Sequence, residues 1–109
     1  MSATEQPLEV SVTQAQEMIG AGAALIDVRE QWEFDQSRID GAVLIPLQSL
    51  PSRLNEIPTD RPVVIQCHHG GRSMKAVQFL RAQGMNNITN LQGGIDRWSL
   101  EIDSSIARY

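Results

Sequence analysis

The sequence predicts an α/β domain in which helices cover both faces of a parallel β-sheet. Short apolar runs rich in β-branched residues alternate with segments of helical periodicity along the whole chain. This alternation is typical of strand–helix–strand units, whose parallel strands are buried between layers of helices. With 109 residues, the chain is expected to form one domain over 1–109 with about five strands, residues 1–7 being frayed.

The first half of the chain contains three of the predicted strands. Ser11 or Thr13 is expected to cap the first helix, which continues to about Ile19 and ends at the glycine that follows. Pro46 stops the third strand, because proline cannot donate a backbone hydrogen bond. The segments predicted here are strand 8–10, the first helix, strand 23–27, helix 30–36 and strand 42–45.

Proline and glycine mark the boundaries of the second half. The apolar residues at 47, 50, 54 and 57 have helical spacing, so we expect an α-helix that begins near residues 49–51, where Pro51 fits the first turn. Asp103 is expected to cap a short terminal helix. The remaining predicted segments are strand 63–67, a helix from Arg72 or Ser73 to Gly84, strand 88–91 and a helix after Gly93-Gly94.

The composition excludes several classes of function. The net charge of −4 and the lack of a basic stripe argue against a nucleic-acid partner. No apolar run reaches the roughly 18 residues of a membrane span, and the N-terminus has no signal-peptide pattern. The single cysteine, Cys67, cannot form an internal disulfide, so we expect a cytoplasmic protein. His68 and His69 beside it lack the spacing of known metal motifs, so we expect no bound metal.

Cys67 lies where a cysteine is readily made reactive. It follows an apolar strand and precedes Gly70-Gly71 and a helix N-terminus. Backbone N–H groups of such a loop converge on one point, and the helix dipole adds positive potential there, so the thiolate is favoured. We expect Gly70 and Gly71 to supply positive φ angles and close backbone approach.

The spacing between Cys67 and Arg72 distinguishes two kinds of chemistry. Four residues separate them, whereas the cysteine phosphatases place five between their cysteine and arginine. A loop one residue shorter forms a tighter cradle, which suits one additional sulfur atom better than a phosphoryl group. The loop therefore favours sulfur transfer over phosphoryl transfer.

Motifs on both sides of this loop occur in a recognisable order. Upstream, 27–30 reads Asp-Val-Arg-Glu and 39–42 reads Ile-Asp-Gly-Ala; downstream, 91–94 reads Leu-Gln-Gly-Gly, followed by Trp98. Together with the loop itself, these motifs resemble the signatures of the rhodanese family. The resemblance extends over roughly residues 8–100.

The resemblance implies a three-layer α/β/α fold and a persulfide intermediate on Cys67, the nucleophile and sulfur carrier. It also implies that the backbone N–H groups of 68–72 hold the persulfide and that Arg72 attracts an anionic donor. The resemblance implies that neither forming the persulfide nor passing its sulfur to an acceptor requires a metal or an organic cofactor. The residues expected to bind substrate are His68, His69, Gly70, Gly71 and Arg72.

Two segments bear on the family comparison. Ser37-Arg38 replaces the Gly-His that the family usually has, so a contact made by that histidine is not expected here. The segment from 102 to Tyr109 is similar to the tail of rhodanese domains fused to ubiquitin-activating-like enzymes, which pass sulfur to a carrier protein. This second likeness concerns the choice of acceptor.

Two functional hypotheses remain open on the sequence. In the first, small sulfur donors and thiol acceptors are the substrates. In the second, the domain exchanges persulfide sulfur with a sulfur-carrier or thioredoxin-like protein, which an exposed apolar patch near the loop would favour. His68 and His69 are either surface residues or a source of positive charge below about pH 6.5. Asp27, Arg29 and Glu33 are expected to form an internal ion-pair cluster.

Overall fold

The computed structural model describes residues 5–109 as one five-stranded parallel sheet with helices on both faces. The strand order is β1-β5-β4-β2-β3, and every adjacent pair is parallel. The predicted α/β class and parallel sheet are therefore confirmed. The strands are β1 (Glu9–Val10), β2 (Ala24–Asp27), β3 (Val43–Leu44), β4 (Val63–Gln66) and β5 (Ile88–Leu91), and the helices are α1 (Val12–Gly20), α2 (Gln31–Gln36), α3 (Gly71–Ala82) and α4 (Gly94–Glu101).

The alternation of side chains along β4 produces two separate cores. Val63 and Ile65 pack into one cluster, whereas Val64 packs into the other, because successive side chains of a strand point to opposite faces. On the first face, α3 contributes Ala76, Val77 and Leu80. On the second face, α1 and α4 contribute Val12, Ala15, Ile95 and Trp98. These two cores make the three-layer arrangement.

The sheet order brings the candidate residues to one edge. β4 lies between β2 and β5, and parallel strands all end at the same edge of the sheet. Asp27, at the end of β2, is aligned with Gln66 at the end of β4. Cys67 follows Gln66 directly, so the nucleophile predicted from the sequence lies at the centre of this edge.

The α-helix expected to begin near residues 49–51 and to include Ile57 is absent, and that prediction is wrong. The chain forms two 3₁₀ helices instead, Leu47–Ser52 and Leu54–Glu56. An α-helix with Pro51 in its first turn would have to end before Ile57, whose backbone is extended because Pro58 follows it. So short an α-helix is only marginally stable. The apolar face is still correct, because Leu50 and Ile57 are both buried.

The two ends of the described chain also differ from expectation. Asp103 caps no helix; its carboxylate accepts hydrogen bonds from the backbone and hydroxyl of Ser105, which makes a turn. Of the segment 1–7 predicted to be frayed, residues 1–4 lie outside the described residues. Gln6 N–H donates to the backbone carbonyl of Asn86, and the guanidinium of Arg81 donates to the carbonyl of Pro7. Residues 6 and 7 are therefore hydrogen-bonded to the rest of the fold and are not frayed.

Local boundary signals were more reliable. Ser11 caps α1 in a capping box with Gln14, as predicted from its position before the helix. Within 5–109, no helix combines the length and the apolarity that crossing a membrane requires.

Candidate active site

Cys67 Sγ is buried and accepts hydrogen bonds from the start of α3. The residue is only 1% exposed. Gly70 N–H donates to Sγ at 3.1 Å, and Ser73 Oγ lies 3.3 Å from Sγ and 3.2 Å from the Gly70 carbonyl. The Ser73 hydroxyl therefore bonds the loop. Donors fixed around a buried sulfur stabilise it in its anionic form.

Gly70 and Gly71 have different roles, contrary to the expectation that both supply positive φ. Gly70 has a φ of 111° and lies against the backbone of Gly93 and Leu91. Gly71 is the first residue of α3, and a Cβ there would have open space around it. The prediction for Gly71 is therefore wrong, because the chain has already entered the helix at that point.

The closest backbone approach to the loop comes from Gly94. A Cβ on Gly94 would lie 2.4 Å from the Cys67 carbonyl oxygen and 2.5 Å from that of His68. The same two carbonyls accept hydrogen bonds from Ile95 and Asp96 at the start of α4. The Gly93-Gly94 turn thus packs directly on the active loop.

Arg72 is held by Glu33 in a two-pronged ion pair. Its two terminal nitrogens lie 2.6 Å and 2.9 Å from the two carboxylate oxygens of Glu33. The pair lowers the pKa of Glu33 from 4.5 to about 2 and raises the pKa of Arg72. The Arg72 side chain is 38% exposed and that of Glu33 only 4%. The helix dipole disfavours a cation at the N-terminus of α3. The ion pair with Glu33 is the structural reason why Arg72 lies there, and the sequence did not reveal it.

The internal cluster predicted at Asp27, Arg29 and Glu33 is confirmed only for its first two members. The guanidinium of Arg29 donates to both carboxylate oxygens of Asp27, and both side chains are fully buried. Glu33 instead faces Arg72. The cluster thus consists of two ion pairs, one buried under the edge of the sheet and one at the loop.

His68 and His69 lie at the mouth of the loop with their rings stacked, the ring centroids 4.0 Å apart. Burial, with the nearby charge of His69, lowers the pKa of His68, which weighs against His68 as a source of positive charge. The side chain of His69 is 70% exposed.

One group of side chains in residues 5–109 could hold a metal ion, which the sequence spacing did not predict. Donor atoms of His68, His69 and Asp96 all lie within 4.8 Å of one another. Asp96 comes from α4, so the group forms only through the packing of α4 on the loop. Its carboxylate already accepts two hydrogen bonds from Arg108.

Tyr109 is the site residue that sequence reasoning missed. Its ring stacks on His68 with centroids 4.0 Å apart, and its hydroxyl lies 2.7 Å from both Arg29 and Glu33. The sequence offered only a family likeness of the tail, because the contacts join residues 76 and 80 positions apart in the chain. No local periodicity reports such a contact.

At the Ser37-Arg38 departure, the structure shows what these residues contact. The Ser37 carbonyl accepts a hydrogen bond from Arg29. The guanidinium of Arg38 lies over the ring of Phe34, 4.7 Å from its centroid. Both residues therefore support the segment around α2.

Comparisons with known proteins agree with this geometry. The model of the rhodanese-like domain family matches residues 11–101. The chain is 49% identical over 80 residues to the uncharacterized protein YqhL of Bacillus subtilis, covering 73% of this chain and 64% of that relative, slightly less than two thirds of its length. It is 30% identical over 99 residues to the thiosulfate sulfurtransferase GlpE of Ectopseudomonas mendocina, covering 91% of each chain. Among solved structures, the human single-domain sulfurtransferase TSTD1 superposes with a TM-score of 0.79 at 26% identity, covering 88% of this chain and 98% of that one.

The Glu33–Arg72 pair predicts a specific dependence of stability on pH. Since the pKa of Glu33 in the folded protein, about 2, lies below its ordinary value of 4.5, the ionised carboxylate stabilises the fold above about pH 4.5, and this contribution is lost as the pH falls toward 2. At roughly 1.4 kcal/mol per pKa unit, the loss amounts to about 3 kcal/mol.

Urea unfolding of the wild type and of Glu33→Gln between about pH 6 and pH 2.5 measures it. The difference in unfolding free energy between the two proteins should shrink as the pH falls. A difference that stays constant with pH would contradict the assignment, because the glutamine variant has no carboxylate to protonate.

Proposed function

This chain belongs to the rhodanese-like domain family, and we propose that it transfers a sulfane sulfur from thiosulfate or a related donor, through a persulfide on Cys67, to cyanide or a thiol. At the coarser level, the chain is a sulfurtransferase of that family. The observation that carries the finer proposal is the buried Cys67 Sγ, which accepts hydrogen bonds from Gly70 N–H and Ser73 at the start of α3.

The reaction divides into two displacements at sulfur. The Cys67 thiolate attacks the outer sulfur of thiosulfate, the S–S bond of the donor breaks, and sulfite leaves with the bonding electron pair. The acceptor then attacks the terminal sulfur of the persulfide, the new S–S bond breaks, and its electron pair returns to Cys67 as the thiolate. Cyanide leaves as thiocyanate. Covalent catalysis of this kind gives ping-pong kinetics.

The surroundings of Cys67 suit both anionic states of this cycle. Gly70 N–H and the dipole of α3 favour negative charge at the thiolate and, one atom farther out, at the persulfide. We assign the other N–H groups of 68–72 to the terminal sulfur, whose negative charge requires further donors. Neither displacement calls for a metal or an organic cofactor. Because the cycle needs a reduced thiol, we place it in the cytoplasm.

A test of the persulfide follows from the presence of one cysteine. Incubation with thiosulfate should add one sulfur atom to the intact mass, and cyanide or dithiothreitol should remove it. Cys67→Ala should gain no mass and transfer no sulfur, while its circular dichroism spectrum stays that of the wild type.

The outcome that contradicts the mechanism is transfer that persists in Cys67→Ala. A wild type that gains no mass from thiosulfate, yet is alkylated by iodoacetamide, would exclude thiosulfate as the donor. Steady hydrolysis of an aryl phosphate would instead return the loop to phosphoryl chemistry.

Arg72 gives a second test, because its partner Glu33 can be changed separately. If Arg72 attracts the anionic donor, Arg72→Ala should raise the KM for thiosulfate. Glu33→Gln should lower it, because the amide can still accept a hydrogen bond while the opposing charge is removed. Each change should be several-fold, on the order of 1 kcal/mol for a partly exposed charge, and should weaken at high salt.

The sign of the two effects decides the role of Arg72. Steady-state kinetics with thiosulfate and with an uncharged persulfide donor measure them, the uncharged donor serving as the control. An increase in KM for both variants and for both donors would show that the ion pair acts only structurally.

One observation favours a protein partner as the alternative. Trp32 is 61% exposed, and its ring contacts that of Tyr109, 6.1 Å between centroids, at the mouth of the loop. Exposed tryptophans are common where proteins bind one another. For sulfur relay to a thioredoxin-like or sulfur-carrier protein, an exposed apolar patch near the loop is expected, and we propose that Trp32 forms part of it.

The relay alternative predicts a selective defect in Trp32→Ala. Loading from thiosulfate and discharge to dithiothreitol should be unchanged, whereas discharge to reduced thioredoxin should slow by roughly tenfold or more, a typical cost of losing an interface tryptophan. Leu100→Ala is the matched control, since Leu100 is 59% exposed on α4. Equal rates for all three proteins with thioredoxin would contradict this alternative for that acceptor.

A further inference from the structure

We propose that Tyr109 is a positioning residue for the sulfur-transfer site, with its hydroxyl joining the two ion pairs and its ring holding His68 over the active loop. The effect of Tyr109 on catalysis rests on the proposed function. Its effect on the positions of Glu33 and His68 rests on the contacts alone.

The hydroxyl of Tyr109 occupies a position that admits one hydrogen-bond arrangement. Arg29 Nη1 can only donate, so the Tyr109 oxygen accepts at 2.7 Å. Glu33 is ionised and can only accept, so the Tyr109 hydrogen is directed to its Oε2, also at 2.7 Å. Burial raises the pKa of Tyr109 to about 12, so the hydroxyl keeps the proton that it donates.

This hydroxyl couples the buried pair to the loop. Arg29 is fixed by Asp27 at the end of β2, whereas Glu33 is bonded to Arg72 in the first turn of α3. Glu33 Oε2 accepts from both Tyr109 and Arg72. Tyr109 thus transmits the fixed position of Arg29 to the carboxylate that orients Arg72.

The ring of Tyr109 acts on the loop directly. It lies nearly parallel to His68, with 9° between the ring planes. His68 follows Cys67 in the chain, and its carbonyl accepts a hydrogen bond from Asp96 N–H. The loop is therefore held by its backbone from the α4 side and by its side chain from the Tyr109 side.

The segment that carries Tyr109 is fastened along α4. Ser99 Oγ donates to the carbonyl of Ile106, and Arg108 pairs with Asp96 one turn closer to the loop. Ile106 and Tyr109 both pack against the second core. These attachments direct residues 102–109 to the catalytic edge and fix where Tyr109 lies.

Two substitutions separate the hydroxyl from the ring. Tyr109→Phe removes the two hydrogen bonds of the hydroxyl and keeps the ring stacked on His68. Tyr109→Ala removes the hydrogen bonds and the stacked ring. Under conditions where both variants are folded, Tyr109→Phe should lower kcat for sulfur transfer by roughly tenfold, the effect of about 1.4 kcal/mol. Tyr109→Ala should lower kcat further. Ser105→Ala, in an exposed turn of the same segment, is the matched control.

Two readouts distinguish positioning from a general loss of stability. The rate at which iodoacetamide alkylates Cys67 should be unchanged in Tyr109→Phe, which keeps the ring stacked on His68. In Tyr109→Ala the rate should rise, because His68 is no longer held over the loop that covers the buried sulfur. In a double-mutant cycle, Tyr109→Phe should have a much smaller effect on kcat when Glu33 is already glutamine.

The possible outcomes are separable. Additive effects of Tyr109→Phe and Glu33→Gln would overturn the role of the hydroxyl. A Cys67 alkylation rate in Tyr109→Ala equal to that of the wild type would overturn the role of the ring. If the wild type forms no persulfide from any sulfane donor, the proposed function fails, and the alkylation rates then still decide whether Tyr109 positions the loop.

Discussion

In the proposed mechanism, one sulfur atom must carry negative charge while it is almost completely buried, and the rest of the site depends on this constraint. An uncompensated buried charge is costly, so donors have to be in place before the reaction begins. Cys67 meets this requirement at the junction of β4 and α3, where Gly70 N–H and Ser73 approach Sγ. The central position of β4 in the sheet then determines which elements can contribute.

The compensation continues outward from the sulfur. Arg72 adds positive charge beside the loop, and Glu33 holds Arg72. Glu33 in turn shares an oxygen with Tyr109, which is bonded to Arg29. Each group therefore satisfies the one before it, and the series ends at Asp27, fully buried at the end of β2. Losing one partner of a buried ion pair strongly destabilises a protein. The Asp27–Arg29 pair is therefore expected to stay fixed, and it anchors the groups that lie nearer to the sulfur.

Local patterns in the sequence predicted the parts of this arrangement that are local. The β4–loop–α3 order, the Ser11 cap and the Gly93-Gly94 turn all follow from residues close together in the chain. The 3₁₀ helices at Leu47–Ser52 and Leu54–Glu56 were not predictable from periodicity, because their apolar residues also fit an α-helix.

The sequence also failed to predict contacts between residues that lie far apart in the chain. Glu33 could face Arg29 or Arg72, and the sequence favoured the nearer partner, although the pair formed joins positions 39 residues apart. Tyr109 shows the same limitation more strongly. The position of Cys67 and its loop is therefore predictable from the sequence, and the network that supports them is not.

The shortness of the outer strands has a consequence for association. The sheet ends on β1 and β3, each only two residues long, so an approaching chain finds few unpaired backbone groups to extend the sheet. Short edge strands of this kind protect natural proteins from edge-to-edge aggregation. The domain can therefore present an exposed tryptophan near its reactive edge without also offering a template for amyloid-like growth.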